Sequence, residues 1–266
     1  MHFQVVVPVI TPILEGEIDY ESLDVLIPHI IDEGADMLFM SGLTGEFEKL
    51  GQRQKIGIFE KTIDASKNEV PILAGINGPT LNDTLNLLEE VCQLNLEAVV
   101  LAPTYLSTVS PVTLLDRVLD QSTKPVILYN NPPLCGGRHY NWQDLGVLAN
   151  HPMLLGIKDS SGDAEYFSRL KTFEGDRFWV YQGSESTLLR DAPPYSNGVV
   201  AGTGNVAARL FKRLYTPECR EEWPEVIEDL GKLKAEIRSL GEGNYVAGIK
   251  QKLHMMGILN SAEMAA

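Results

Sequence analysis

The chain has 266 residues, a formal net charge of -14 and 44% apolar residues. This length provides for one large domain or two small ones with a substantial core. The negative charge disfavours nucleic acid and anionic membranes as partners, because both bind through a positive field. The three cysteines are odd in number and widely spaced, which is typical of a reducing compartment rather than of a disulfide framework. With no recognisable export signal and no apolar stretch of roughly 18 residues, we expect a cytoplasmic protein without a membrane span.

Eight short apolar runs recur along the chain, each bounded by glycine, proline or polar clusters. Most of them are continuously apolar rather than alternating, which is typical of strands buried on both faces. Helical periodicity separates the runs, and Leu81, Leu85 and Leu88 share one such helical face. The pattern therefore predicts repeated βα units. The runs cover residues 4–9, 36–40, 71–75, 98–102, 125–129, 154–158, 178–181 and 198–201.

Two further amphipathic segments follow the eighth run and predict long C-terminal helices. Eight βα units within about 215 residues fit a closed parallel barrel. We therefore predict an α/β fold, a (β/α)8 TIM barrel over residues 1–213, with a short helical extension over 214–266 packed on it. A doubly wound open sheet is the structural alternative. Pro28 interrupts the first predicted helix and is expected to kink it.

Two of these runs end in residues that can take part in catalysis, one as a nucleophile and one in proton transfer. Active sites of such barrels lie at the C-terminal ends of the strands. Lys158 ends the sixth run, and burial there would favour a neutral amine, which can attack a carbonyl carbon. Tyr129 ends the neighbouring run, so its hydroxyl could move protons during the same reaction. Taken alone, a lysine at a strand end is more often a solvated charge, and a tyrosine there is more often a rim aromatic.

A glycine-rich turn follows the second run and contains Gly42, Leu43, Thr44 and Gly45. Its backbone N–H groups and the Thr44 hydroxyl could bind a carboxylate. The second and sixth strands of an eight-stranded barrel face each other, so a 2-keto acid could span the distance between Thr44 and Lys158. An ordinary structural turn is the alternative interpretation.

Three segments, 42–46, 129–132 and 156–162, resemble motifs of the dihydrodipicolinate synthase/N-acetylneuraminate lyase family of class I pyruvate aldolases. The resemblance extends over nearly the whole chain in order and spacing. It implies that Lys158 forms a Schiff base with a 2-keto acid, that Tyr129 transfers protons, and that Thr44 and its turn bind the pyruvyl carboxylate. It also implies a homotetramer built as a dimer of dimers. We expect no cofactor.

Departures from the family pattern bear on the substrate. Dihydrodipicolinate synthases usually have two adjacent hydroxyl residues in the turn, where this chain has Leu43 before Thr44. They also place an arginine where this chain has Leu134. Tyr105, however, resembles a tyrosine that such enzymes contribute across a dimer interface, so the synthase interpretation is weakened by the two departures and not excluded. We therefore favour cleavage of a 2-keto-3-deoxy sugar acid, such as 2-keto-3-deoxygluconate, to pyruvate and an aldehyde. The alternative is 4-hydroxy-tetrahydrodipicolinate synthase, which condenses pyruvate with aspartate semialdehyde.

The last two runs supply further candidates and competing functions. Val200, Gly183 and Ser184 are expected to line the substrate site, through contacts to sugar hydroxyls or to a phosphate. The segment 202–207 matches the GxGxxG/A pattern of a dinucleotide site, but the acidic strand end that should follow is replaced by a helical stretch. The five histidines are isolated, so we predict no metal site. A non-catalytic barrel that binds keto acids is a further alternative.

Overall fold

The computed structural model describes residues 3–102, 111–185 and 197–266. Eight of its strands are parallel neighbours in one closed barrel with the order β1-β10-β9-β8-β7-β6-β5-β4, and β2 and β3 pair as a separate antiparallel ribbon. The predicted (β/α)8 barrel is confirmed, and each predicted apolar run corresponds to one barrel strand. The strands are β1 (Gln4–Pro8), β2 (Ile13–Leu14), β3 (Glu17–Ile18), β4 (Met37–Met40), β5 (Ile72–Gly75), β6 (Ala98–Leu101), β7 (Val126–Asn130), β8 (Leu154–Asp159), β9 (Trp179–Gln182) and β10 (Gly198–Val200).

Nine α-helices lie in the part of the chain that the structure describes. They are α1 (Tyr20–Asp32), α2 (Gln52–Ser66), α3 (Leu81–Val91), α4 (Pro111–Gln121), α5 (Trp142–Leu148), α6 (Ala164–Leu170), α7 (Gly204–Tyr215), α8 (Trp223–Leu240) and α9 (Tyr245–Met255). Helix α1 continues across Pro28 as one element. None of these helices has both the length and the apolar character needed to cross a membrane.

The chain divides into two compact units. The first consists mainly of residues 73–200, and the second combines residues 4–72 with 201–266. The proposed domain boundary between residues 213 and 214 stays a prediction.

In the first unit, every residue of β6 and β7 is buried. This explains why their sequences are continuously apolar, since each buried Val, Leu or Ile side chain contributes about 1.5–3 kcal/mol to folding.

Within the second unit, α8 and α9 approach each other closely at two glycines. A Cβ at Gly248 would collide with the carbonyl of Ile237, and one at Gly241 would collide with the carbonyl of Asn244. The Asn244 side chain caps α9 by accepting hydrogen bonds from the N–H groups of Val246 and Ala247, both at 3.1 Å. Such a cap stabilises a helix by about 1 kcal/mol. These features allow the last helix to pack tightly against the long α8.

Candidate active site

Lys158 and Tyr129 lie side by side at the ends of β8 and β7. The two residues are direct partners in the register of the parallel pair. Both are buried, with relative exposures of 6% for Lys158 and 5% for Tyr129. The Lys158 Nζ lies 3.9 Å from the centroid of the Tyr129 ring. The structure therefore brings together the two residues for which the sequence predicted covalent and proton-transfer chemistry.

The Tyr129 hydroxyl has a defined neighbour, Asn131. The Asn131 side-chain amide donates a hydrogen bond of 2.9 Å to the Tyr129 oxygen. Because the phenol accepts this bond, its own proton is left to be donated elsewhere. Asn131 was not among the predicted site residues, although it lies within the Tyr129-Asn130-Asn131-Pro132 motif. Its position favours Tyr129 as a proton donor.

Gly183, which follows β9, packs directly against the Lys158 side chain. A Cβ at position 183 would lie 2.9 Å from the Lys158 Cε and would collide with the Ser160 hydroxyl. The Gly183 N–H donates to the Asp159 carbonyl at 2.7 Å. Glycine fits here because the side chains of Ser160 and Lys158 occupy the space that a Cβ would need. Gly183, which the sequence analysis expected to line the substrate site, therefore lies next to Lys158.

Ser160 is a site candidate that the sequence analysis missed. Its Oγ is buried and has no hydrogen-bond partner among the described residues. A buried hydroxyl without a partner costs about 1–3 kcal/mol, so such a group is a natural contact for a ligand. Two further residues were predicted to line the site. Ser184 donates its N–H to Gln182 Oε1 at 2.8 Å, and Val200 is buried at the end of β10.

The turn of residues 42–45 lies in the second unit. The Thr11 hydroxyl donates to the Gly45 carbonyl at 2.8 Å, and the Glu46 N–H closes the turn onto the Leu43 carbonyl at 3.0 Å. No hydrogen bond among the described residues uses the N–H of Leu43, Thr44 or Gly45. Three consecutive free backbone donors are well suited to an anion.

The glycine-rich turn at 202–205 is built differently. The N–H groups of Gly204, Asn205 and Val206 donate to carbonyls inside the turn at 3.0–3.1 Å. The Asn205 side chain accepts from Ile10 N and donates to Pro8 O, and the Thr203 hydroxyl bonds to the Tyr245 hydroxyl at 2.6 Å. All four residues of the turn are buried. Because its donors are already used, this turn does not support the dinucleotide or phosphate interpretation.

The predicted role of Tyr105 and the predicted absence of a metal or cofactor are not tested by these contacts. Tyr105 is outside the described residues. In the described part of the chain, no three His, Cys, Asp or Glu side chains cluster as they would around a metal ion. A reaction that requires neither metal nor cofactor stays a prediction.

The fold is a closed (β/α)8 barrel, and a buried lysine and a buried tyrosine are partners at the ends of two of its adjacent strands. The model of the Dihydrodipicolinate synthetase family matches residues 2–265. The chain belongs to this family of pyruvate-dependent lyases, and it is itself a lyase.

Known relatives support the assignment to this family. The chain is 26% identical over 266 residues to a 4-hydroxy-tetrahydrodipicolinate synthase of Shewanella piezotolerans, covering 97% of this chain and 89% of that protein. The solved dihydrodipicolinate synthase of Bacteroides thetaiotaomicron matches with a TM-score of 0.90 and 28% identity, covering 99% of this chain and 92% of the other. A 2-keto 3-deoxygluconate aldolase of Picrophilus torridus shares the fold, with a TM-score of 0.85, 24% identity and coverage of 98% and 95%.

Proposed function

We propose that this lyase is a class I aldolase that binds its substrate as a Schiff base on Lys158. The favoured substrate is a 2-keto-3-deoxy sugar acid such as 2-keto-3-deoxygluconate, which is cleaved to pyruvate and an aldehyde. One observation carries the proposal: the buried amine of Lys158 lies against the ring of Tyr129 at the ends of adjacent strands. This arrangement supports a mechanism in which Lys158 acts as the nucleophile and Tyr129 as the proton donor at one carbonyl group.

The chemistry follows from these two groups. The Lys158 amine attacks the C2 keto carbon, and Tyr129 protonates the hydroxyl that leaves as water, which yields the imine. The Tyr129 oxygen, now without its proton, takes the proton of the C4 hydroxyl, the C3–C4 bond breaks, and the aldehyde leaves. The electron pair of that bond forms a C2=C3 double bond while the C=N pair moves to the protonated imine nitrogen, which yields the enamine. Protonation of C3 and addition of water release pyruvate and free the amine. The water lost in the first step is thus regained in the last.

The turn of residues 42–45 supports the same proposal because it offers donors for a carboxylate. The free N–H groups of Leu43, Thr44 and Gly45 would form charge-assisted hydrogen bonds, which are roughly twice as strong as neutral ones. Thr44 is half-buried and adds a hydroxyl. We propose that this turn holds the carboxylate of the keto acid. Gly42 preserves the shape of the turn, since a Cβ there would lie 2.8 Å from the Phe39 ring.

The choice of a sugar acid rests on hydroxyl groups and charge. The buried Ser160 hydroxyl provides a partner for a substrate hydroxyl close to Lys158. Condensation with aspartate semialdehyde would instead bring a second carboxylate, which normally requires a cation in the site. Position 134 carries a half-buried leucine, and the nearby Arg138 is exposed. These features favour a substrate with one carboxylate, and they leave the synthase as the alternative.

A comparison of substrates tests this choice. Pyruvate release would be measured from 2-keto-3-deoxygluconate and from its 6-phosphate, and pyruvate consumption would be measured with aspartate semialdehyde. We expect the highest kcat/KM for the unphosphorylated sugar acid, because the N–H groups of Gly204, Asn205 and Val206 in the candidate phosphate-binding turn already donate to carbonyls. The highest kcat/KM with aspartate semialdehyde would establish the synthase instead. Tight binding of keto acids without turnover on any of the three would indicate a non-catalytic barrel.

The role of Tyr129 is tested by Tyr129→Phe. We expect kcat to fall by about two to four orders of magnitude, because general acid-base catalysis contributes that much. The matched variant Tyr20→Phe changes an exposed tyrosine on α1 and should keep the wild-type kcat. Steady-state kinetics on both variants decide the matter, and an unchanged kcat for Tyr129→Phe would remove this residue from the mechanism.

The proposal extends to the assembly and the location of the enzyme. We propose a cytoplasmic homotetramer, a dimer of dimers, in which Tyr105 reaches the site of a neighbouring subunit. Analytical ultracentrifugation should give a mass of four chains. A monomer with full activity would contradict both the tetramer and the shared tyrosine.

A further inference from the structure

A second polar pair follows Lys158 and Tyr129 by one residue on the same two strands. Asn130 and Asp159 are the next partners in the register of β7 and β8. Because side chains alternate along a strand, this pair occupies the opposite face from the catalytic pair. The Asn130 side-chain amide donates a hydrogen bond of 2.6 Å to Asp159 Oδ1. The bond thus joins the two strands through their side chains at the point where they carry the reacting groups.

The register between these strands is irregular further back. Val126 pairs with Leu154 but Ile127 pairs with Gly156, so Leu155 is an extra residue on β8. An extra residue of this kind disrupts the ladder locally, and a slip by one residue turns every later side chain to the other face. A slip at this position would move Lys158 away from Tyr129. The Asn130–Asp159 bond lies beyond the irregularity, where it can fix the register.

Both side chains of the pair are buried, with 1% exposure each, and their remaining polar atoms are satisfied. Asp159 also accepts hydrogen bonds from the Ser161 hydroxyl at 2.9 Å and from the Ser161 N–H at 3.3 Å. The Asn130 oxygen accepts from Tyr140 N at 3.4 Å, and its amide lies 3.2 Å from His139 Nδ1. Burial raises the pKa of Asp159, while the bonds from Asn130 and Ser161 counteract this shift.

We infer that Asn130 and Asp159 are positioning residues that hold Lys158 opposite Tyr129 by fixing the register of β7 and β8. The inference rests on the proposed Schiff-base function of Lys158. Neither residue faces the substrate, and each acts through its neighbour in the chain. A displacement of about 1 Å in reacting groups can lower a rate by about 10²-fold, so a strand register is a strong determinant of activity.

Exchange of the two residues provides the test. Asn130→Asp places two buried carboxylates against each other, which repel, and we expect kcat per folded chain to fall by about 100-fold. Adding Asp159→Asn restores an amide opposite a carboxylate in the reverse order. The double variant should regain at least about tenfold of the lost kcat. The control Asp163→Asn makes the same charge change at the N-cap of α6, where asparagine caps equally well, and it should not rescue Asn130→Asp.

Three readouts keep this test decisive. A merely structural role would lower the melting temperature of Asn130→Asp while leaving kcat per folded chain unchanged, and that result would overturn the inference. Rescue by Asp163→Asn, or no rescue by Asp159→Asn, would overturn it as well.

Hydrogen–deuterium exchange of Val126–Asn130 and Leu154–Asp159 should rise in the single variant and recover in the double variant. Hydrogen–deuterium exchange reports on the pairing of the two strands independently of activity. If wild-type protein formed no adduct with pyruvate, the proposed function would be rejected, and the exchange data would still test the role of the pair in the register. If Asn130→Asp does not fold, a double variant that folds with near wild-type kcat supports the pair, and an inactive one contradicts it.

Discussion

The chain buries one lysine at the end of β8 and another on α9, and the two differ in their neighbours. Lys158 lies against the ring of Tyr129, whereas Lys250 forms an ion pair with Glu46 and donates a hydrogen bond of 2.8 Å to the Glu263 carbonyl. Burial lowers the pKa of Lys250 below its usual value, although Glu46 opposes that shift. Burial alone therefore does not identify a catalytic lysine. Lys250 lies opposite a carboxylate, which favours its charged form, whereas Lys158 lies against a phenol ring, for which we propose a part in proton transfer.

The largest expected effect is that of Lys158→Met on activity. Without the amine no imine can form, and we expect kcat to fall by at least about four orders of magnitude, which corresponds to about 5.5 kcal/mol. The folded state should be preserved, as judged by its thermal transition. Turnover close to wild type in this variant would place the reacting amine elsewhere and remove the contrast with Lys250.

Lys250→Met should instead act on stability. The substitution leaves the Glu46 carboxylate, whose side chain is only 8% exposed, without its cation. Breaking a buried ion pair in this way costs about 3–5 kcal/mol of unfolding free energy. Denaturant unfolding measures this loss, and the double variant Lys250→Met with Glu46→Gln should recover part of it. A single variant as stable as wild type would show that the pair is not structural.

A third buried lysine, Lys55, sharpens the comparison through pH. It is 3% exposed, its Nζ lies 5.4 Å from the centroid of the Phe47 ring, and burial lowers its pKa from 10.5 to about 8. Between pH 8 and 10.5 the unfolded chain binds this proton more tightly than the folded chain, so stability rises with pH in that window. Relative to Lys55→Met, wild type should gain about 3 kcal/mol across it. A pH-independent difference between the two unfolding free energies would contradict the lowered pKa.

The sequence predicted the barrel because its strands are buried on both faces. A continuous apolar run identifies such a strand, so the sequence could predict that Lys158 and Tyr129 lie at the ends of neighbouring strands. Their roles came from the family resemblance and stay predictions. The observed strands differ from the predicted runs by at most one residue at each end. Pro28 did not end its helix, since α1 continues across it.

Other parts of the site depend on distances that the sequence does not contain. The pairing of Asn130 with Asp159 requires the register of two strands, including the irregularity at Val126. The contact of Gly183 with Ser160 and Lys158 depends on the close approach of β9 to β8. The two glycine-rich turns at 42–45 and 202–205 resemble each other in composition, and they differ in how many of their N–H groups are already hydrogen-bonded among the described residues.

The most direct test of the central claim is reductive trapping followed by peptide mapping. The protein would be incubated with pyruvate and borohydride, and the modified lysine would be located by mass spectrometry. We predict one reduced adduct per chain, on Lys158, with Lys55 and Lys250, which are also buried, unmodified. An adduct on either of those lysines, or no adduct at all, would contradict the account.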